Sequence, residues 1–312
     1  KKLVAGAVTL LSVVTLAACA NGTNKDIVTM KGDTITVSDF YNEIKTNQGA
    51  QQVLFQMTIN KVFEKEYGSK VSDKEVDKEL AKQKKQLGKQ FDAYLAQQGL
   101  TEETAKKQIR SNMLLEYAVN QAAKKDIKES DYKAAFESYT PEVTAQIIKL
   151  DSEDKAKEVL EAAKAEGADF AQIAKDNSTD TATKDKGGEV KFDSGTADIP
   201  SQVKEAAFKL DENGISDVIT VSAGQNYSAS YYIVKLNKKT EKGSDWKKYE
   251  KRLKEIIVDG RKQDTNYIRS IIAKAMTNAN IKVKDDAFKS TFNQYLQNIG
   301  VQTSDSSSSS KK

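Results

Sequence analysis

The feature that most constrains the fold is the run from Val143 to Lys239, where the hydrophobic period changes repeatedly. Val143-Thr-Ala-Gln-Ile-Ile-Lys-Leu150 opens it as a strand-like apolar stretch. A helix is expected from Ser152 to Glu166, stopped by Gly167, and a second from Asp169 to Asp176. The polar loop Asn177-Ser-Thr-Asp180 follows, and Gly187-Gly188 introduces a short β segment, Glu189-Val-Lys-Phe192. Pro200 opens a third helix, Ser201 to Leu210, and two strands rich in β-branched and aromatic residues close the run at Val218–Val221 and Tyr231–Lys235. The order is β-α-α-β-α-β-β within about 95 residues, the size of one compact domain.

Several phrases in this run, in one order and spacing, resemble the parvulin-type peptidyl-prolyl isomerase domain. They are Ala145-x-Ile-Ile, Asp169-Phe-Ala-x-Ile-Ala, Asn177-Ser-Thr-Asp180, Gly187-Gly188, Ala206-Ala-Phe208-x-Leu210, Gly214-x-Ser216-Asp217 and Tyr232-Ile-Val-Lys235. The resemblance implies peptidyl-prolyl cis-trans isomerase activity. It also carries over site positions. The family's two histidines fall on Gln146 of the first strand and Tyr232 of the last, and the chain has no histidine at all. The family's Cys-or-Asp position falls on Asp180. Its proline-pocket positions fall on Ile199 and Val203, with Phe208 on the same helical face, so these three are the expected substrate-binding residues.

For these residues two readings stand side by side. Asp180 polarises a substrate amide, or it caps the turn that follows. Ile199, Val203 and Phe208 line a pocket, or they pack on the sheet; for Phe208 packing is the expectation. Gln146 and Tyr232 lie on neighbouring strands, where a hydrogen bond between them would hold the shape the histidines hold. Rotation about an X-Pro bond has an intrinsic barrier of about 18–20 kcal/mol, and no bond is made or broken. An isomerase therefore needs only to bind the twisted amide better than the planar one. Losing polar partners worth about 3–4 kcal/mol removes most of such an effect, so weak or lost activity is expected.

The N-terminus is read from charge and length. Lys1-Lys2 precedes an apolar stretch, Leu3 to Ala18, which is shorter than the about 20 residues that span a bilayer. Leu16-Ala-Ala-Cys19 resembles the bacterial lipobox, which implies cleavage before Cys19 and a lipid on its thiol. Residues 1–18 are thus the expected lipoprotein signal, and 19–26 the tether. Cys19 is the single cysteine, so no internal disulfide can form. Without histidine, and with no other cysteine, the chain lacks the commonest soft metal ligands, and neither a metal nor a cofactor is expected. The net charge of +4 does not argue for nucleic acid as a partner.

The flanks are helical. Residues 27–140 begin with a hairpin around Lys31-Gly-Asp33 and a helix capped by Ser38 or Asp39. Next comes a helix with Val53, Leu54, Met57, Val62 and Phe63 as its apolar stripe. The capping box Ser72-Asp-Lys-Glu75 starts a long helix reaching Gln98, and Thr101 caps another. Residues 241–300 add a helical stretch from Asp245 to Asn278, bent at Gly260, then a strand at Ile281–Lys284 and a last helix. Residues 301–312 are a serine-rich, disordered tail. Each flank is thin in apolar content, so the expected fold is α+β: one helical chaperone domain built from both ends, with the parvulin-like α/β domain at 141–240 inserted.

This plan resembles the PrsA foldase lipoproteins of Gram-positive bacteria, streptococcal ones above all. The resemblance implies folding of unfolded or partly folded secreted proteins at the extracytoplasmic face of the membrane. The long helical seams also suit a homodimer. The rival reading is a lipoprotein adhesin or solute-binding protein, but the doubled α/β lobes of a binding protein are not evident.

Overall fold

A computed structural model of the chain describes residues 25–223 and 228–296. Cys19, the signal and the serine-rich tail lie outside the described residues. Two compact units emerge. One joins residues up to Ala118 with those from Asn266 onward, and the other is continuous from Val119 to Thr265.

The first unit opens with the expected hairpin, β1 (Asp26–Met30) and β2 (Asp33–Thr36), antiparallel across the Lys31-Gly32 turn. Helix α1 (Val37–Ile44) is capped by Thr36, not by Ser38 or Asp39: the Thr36 hydroxyl accepts from the Asp39 N–H, and the Asp39 carboxylate reaches back to the Thr36 N–H. Helix α2 (Gln48–Tyr67) buries Phe55, Ile59, Val62 and Phe63. Val53 and Met57, expected in the same stripe, stay on the surface.

Ser72 and Glu75 form the predicted capping box of α3 (Asp73–Leu87). The single helix expected to reach Gln98 is instead broken at Gly88, whose φ of +53 ends α3. A 3-10 turn then leads into α4 (Phe91–Gln97), which buries Phe91 and Leu95. The break lets both aromatic and aliphatic residues turn inward. Thr101 caps α5 (Glu102–Lys125) as expected. Arg110 of α5 clamps the α2–α3 corner, with Nε and Nη2 on the two Glu64 oxygens at 2.8 Å each and further donations to Gly68 O and Val71 O.

At the other end of the chain, α11 (Thr265–Asn278) buries Ile271, Ile272 and Met276. Residues Ile281–Lys284 are not a strand but coil. A 3-10 turn at Asp286–Phe288 and α12 (Lys289–Leu296) follow. Phe292 meets Phe55 of α2 edge-on at 5.3 Å, and Gln51 bonds to Ala287 O and Thr291. Both chain ends thus build one helical unit, as the thin apolar seams require.

The second unit holds a four-stranded antiparallel sheet in the order β4-β3-β6-β5. Its strands are β3 (Val143–Leu150), β4 (Glu189–Phe192), β5 (Ile219–Ala223) and β6 (Ser228–Lys239). Helices α7 (Glu153–Lys164) and α8 (Phe170–Asn177) cover one face with Val159, Phe170 and Ala174, against Ile148, Leu150 and Ile233. Helix α9 (Ser201–Lys209) covers the other, against Val143, Ala145, Ile147, Val234 and Leu236. Element order matches the sequence reading.

This unit is wider than the 141–240 segment. It also contains α6 (Glu129–Ser138) and α10 (Glu250–Gln263). The helix expected from Asp245 to Asn278 breaks at Asp264, which takes extended backbone, and Gly260 lies inside α10, not at the break. Helix α10 finds its partner in α6. Tyr132 stacks on Trp246 at 5.0 Å, Phe136 on Tyr249 at 5.7 Å, and Arg261 bonds to Ala123 O and the Asp131 carboxylate.

Candidate active site

The loop motifs carry out architecture first. In Asn177-Ser-Thr-Asp180, the buried Ser178 hydroxyl accepts from the N–H of Lys149 and of Asp180. The Thr179 N–H donates to Lys149 O at 2.8 Å, so the loop is zipped to the end of β3. The Asp180 carboxylate accepts from the Ala182 N–H and the Thr183 hydroxyl. This is the turn-capping arrangement of a loop acid. The buried Ser216 works in the same way, accepting from the Val234 N–H and donating to Asp217 O.

The two histidine positions do not converge. From Ala145 to Leu150 the β3–β6 register is regular, pairing Gln146 with Lys235 and Lys149 with Tyr232. Side chains alternate along a strand, so Gln146 and Tyr232 point to opposite faces. Tyr232 packs with the α9-side cluster, while Gln146 donates from Nε2 to Gly187 O at 3.0 Å. The hydrogen bond anticipated between them is therefore not formed, because strand parity separates the pair. Gln146 instead fastens the Gly187-Gly188 turn to β3.

Around α9 the apolar positions divide by burial. Val203 is fully buried at 0% exposure, so it serves the core and offers no surface to a ligand, contrary to its expected role in substrate binding. Ile199 and Phe208 are half-buried against the same cluster, with Val190, Ile219 and Tyr232 beside them. Phe208 packs on Phe192 at 5.8 Å, as its expected core role requires, yet keeps part of its surface open. The half-buried apolar rim of this face includes Val190, Ile199, Phe208 and Tyr232, with Leu210, Ile219 and Val221.

A feature not anticipated from sequence borders this rim. Asp193, directly after β4, is buried, and Arg252 of α10 grips it through two bonds of 2.6 and 2.8 Å. Tyr139 donates to the same carboxylate at 3.1 Å. Burial pushes the Asp193 carboxyl up, but hydrogen bonds from Arg252 and Thr196 outweigh it and hold it below the usual range. The Arg252 guanidinium is raised in turn, chiefly by its bonds to Asp193. Burial, then the Asp193 charge, keep the Tyr139 phenol above its ordinary value. No sequence signal announces a pair 59 residues apart.

Among the described residues no group of three or more His, Cys, Asp or Glu side chains could hold a metal ion, and no helix is long and apolar enough to cross a membrane.

Comparison with known proteins agrees with this geometry. The family described as Rotamase, PPIC-type PPIASE domain, matches residues 139–238. The chain is 62% identical over 300 residues to the foldase protein PrsA of Streptococcus sanguinis, covering 96% of this chain and 89% of that one. It is 60% identical over 313 residues to that of Streptococcus gordonii, covering 100% and 99%. Among solved structures, the foldase protein PrsA of Streptococcus pneumoniae aligns with a TM-score of 0.79 at 55% identity, covering 86% of this chain and 99% of that one. The Lactococcus lactis protein aligns at 0.66 and 39% identity, covering 87% and 99%.

Proposed function

We propose that this chain, which belongs to the PrsA foldase family, holds and folds exported polypeptides at the outer face of the cell membrane, anchored by a lipid on Cys19. The observation that carries the holding role is an apolar groove in the helical unit. Its volume is about 790 Å³, and Ile44, Val53, Leu54 and Met57 face Ile281, Val283, Phe288 and Phe292 across it. Val53 and Met57 are 60% and 51% exposed. Exposed apolar surface of this kind marks an interaction site, and flexible methionine lets one groove fit many sequences. Tyr41, Lys282, Lys284 and Asp285 give it a polar rim.

The PPIC-type isomerase domain adds a second, weaker activity. Its rim stays apolar, while the Asp180 carboxylate is engaged in its own turn and Gln146 and Tyr232 face apart. An apolar pocket alone favours the less solvated, twisted amide only modestly, so slow turnover is the expectation. The lipid on Cys19 follows from Leu16-Ala-Ala-Cys19 behind its basic and apolar leader.

The test is refolding of a denatured exported protein with intact chain, Met57→Glu and Val53→Glu. A charge inside the groove should lower the folded yield severalfold while isomerase turnover is kept. Unchanged yield with both variants rejects the groove as the client site. A second copy of the chain is the other occupant this face suits. Sedimentation of the same variants separates the two: loss of a dimer with refolding kept assigns the groove to self-association.

A further inference from the structure

We propose that Arg252 on α10 is a positioning residue for the isomerase pocket, holding the β4–α9 loop that carries Ile199. The inference rests on the isomerase reading above. Residues 139–238, which carry the isomerase family's pattern, contain all of the sheet but Lys239, together with α7 to α9, yet Arg252 lies beyond them.

The loop runs from Asp193 to Pro200, and one carboxylate organises it. Asp193 Oδ1 accepts from the Gly195 N–H and the Thr196 hydroxyl, both at 3.0 Å. The Thr196 hydroxyl in turn accepts from the Asp193 N–H at 3.1 Å. Ser194 is laced to Thr140 through two further bonds. Lys204 of α9 donates to Ser194 O at 2.9 Å and Thr196 O at 2.6 Å, so the loop's shape passes into the helix that carries Phe208.

Arg252 fixes that carboxylate from outside. Its Nε and Nη2 form a parallel fork on the two oxygens, which locks direction as well as distance. A second contact from α10 meets the loop at Gly195, where a Cβ would come within 2.4 Å of Ile256 Cγ1. The loop therefore lies flush on α10 with no room for a side chain. Enclosed ion pairs add little net stability over apolar packing, because both charges must be desolvated. What this pair does supply is orientation, and the element oriented ends in Ile199, half-exposed on the apolar rim.

The experiment measures prolyl isomerisation of a proline-containing peptide by the intact chain, alongside unfolding followed by Trp246 fluorescence. A displaced Ile199 weakens binding of planar and twisted amide alike, so Arg252→Ala should raise KM about fivefold and leave kcat within about twofold. Arg252→Lys should fall between, since an ammonium cannot make the fork. Lys254→Gln, exposed on the same helix, should match wild type. Gly195→Ala should reproduce the KM rise by pushing the loop off Ile256, and Gly195→Ala with Ile256→Ala should restore it. This pair decides the matter if Arg252→Ala fails to fold. Folded Arg252→Ala and Gly195→Ala with wild-type KM overturn the proposal, as does a loss confined to kcat. An intact chain that does not exceed the uncatalysed rate overturns it together with the isomerase reading, which distinguishes the two failures.

Discussion

Replacing Gly188 by alanine tests why the second isomerase-unit strand pair begins with Gly187-Gly188. Gly188 has φ of +78, a region where an L side chain costs about 1–2 kcal/mol. Its carbonyl accepts from the Ile147 N–H at 2.8 Å. A Cβ on Gly188 would lie 2.5 Å from Ile147 O and 3.0 Å from Ile147 N, so β3 and the turn must part. Losing that hydrogen bond adds about 0.5–1.5 kcal/mol, before any loosening of the core around Ile147. The total is about 1.5–3.5 kcal/mol. Gly167→Ala is the control: its φ is +76, but nothing lies within 4 Å of the added atom, so only the strain of about 1–2 kcal/mol applies. Urea unfolding of the intact chain, read by Trp246, reports on the right unit. It is the sole tryptophan, and it stacks on Tyr132 within that unit. The midpoint should fall further for Gly188→Ala at an unchanged slope. Equal midpoints for the two variants would refute the close-approach argument and leave backbone strain as the whole effect.

Asp193→Asn should destabilise the isomerase unit by about 2 kcal/mol at neutral pH, a buried-pair loss reduced because Arg252 is partly exposed. The Asp193 carboxyl titrates below its unfolded value, so its contribution is present above about pH 4 and is lost as pH falls through the folded pKa. Wild type and variant melting temperatures should draw together as pH falls below about 4, and a gap that does not narrow with acid contradicts the assignment. Cys19→Ala should leave the chain unprocessed or released, and an unmodified Cys19 peptide in the membrane fraction would sink the lipid assignment. With no histidine in the chain, the isomerisation rate should stay flat between about pH 5 and 8. A histidine-like titration there would be inexplicable. Gln146→His and Tyr232→His should act additively within about 0.5 kcal/mol, because the strand register sends them to opposite faces. A larger coupling in isomerase kinetics would show that the two sites communicate after all.

What the sequence alone determined is whatever acts over a few residues. The Ser72–Glu75 box, the Thr101 cap and the Lys31-Gly32 hairpin close within a turn, so their side chains announce them. The β-α-α-β-α-β-β order is legible because each period stays constant over one element. A helical unit made from both chain ends also follows, since neither end has enough apolar surface alone. The tertiary structure decided the rest. Gly88 and Asp264 break helices whose periodicity runs on, because burying Phe91 and Leu95 outweighs helix continuity at the first. Ile281 and Val283 alternate like a strand yet pair with no strand among the described residues, and line a groove. Gln146 and Tyr232 look like partners in sequence, but a register fixed by the whole sheet sets them apart. Asp193 and Arg252 carry no local mark. Their pairing exists only where folding brings α10 against the β4–α9 loop, since a charge finds its partner through space and not along the chain.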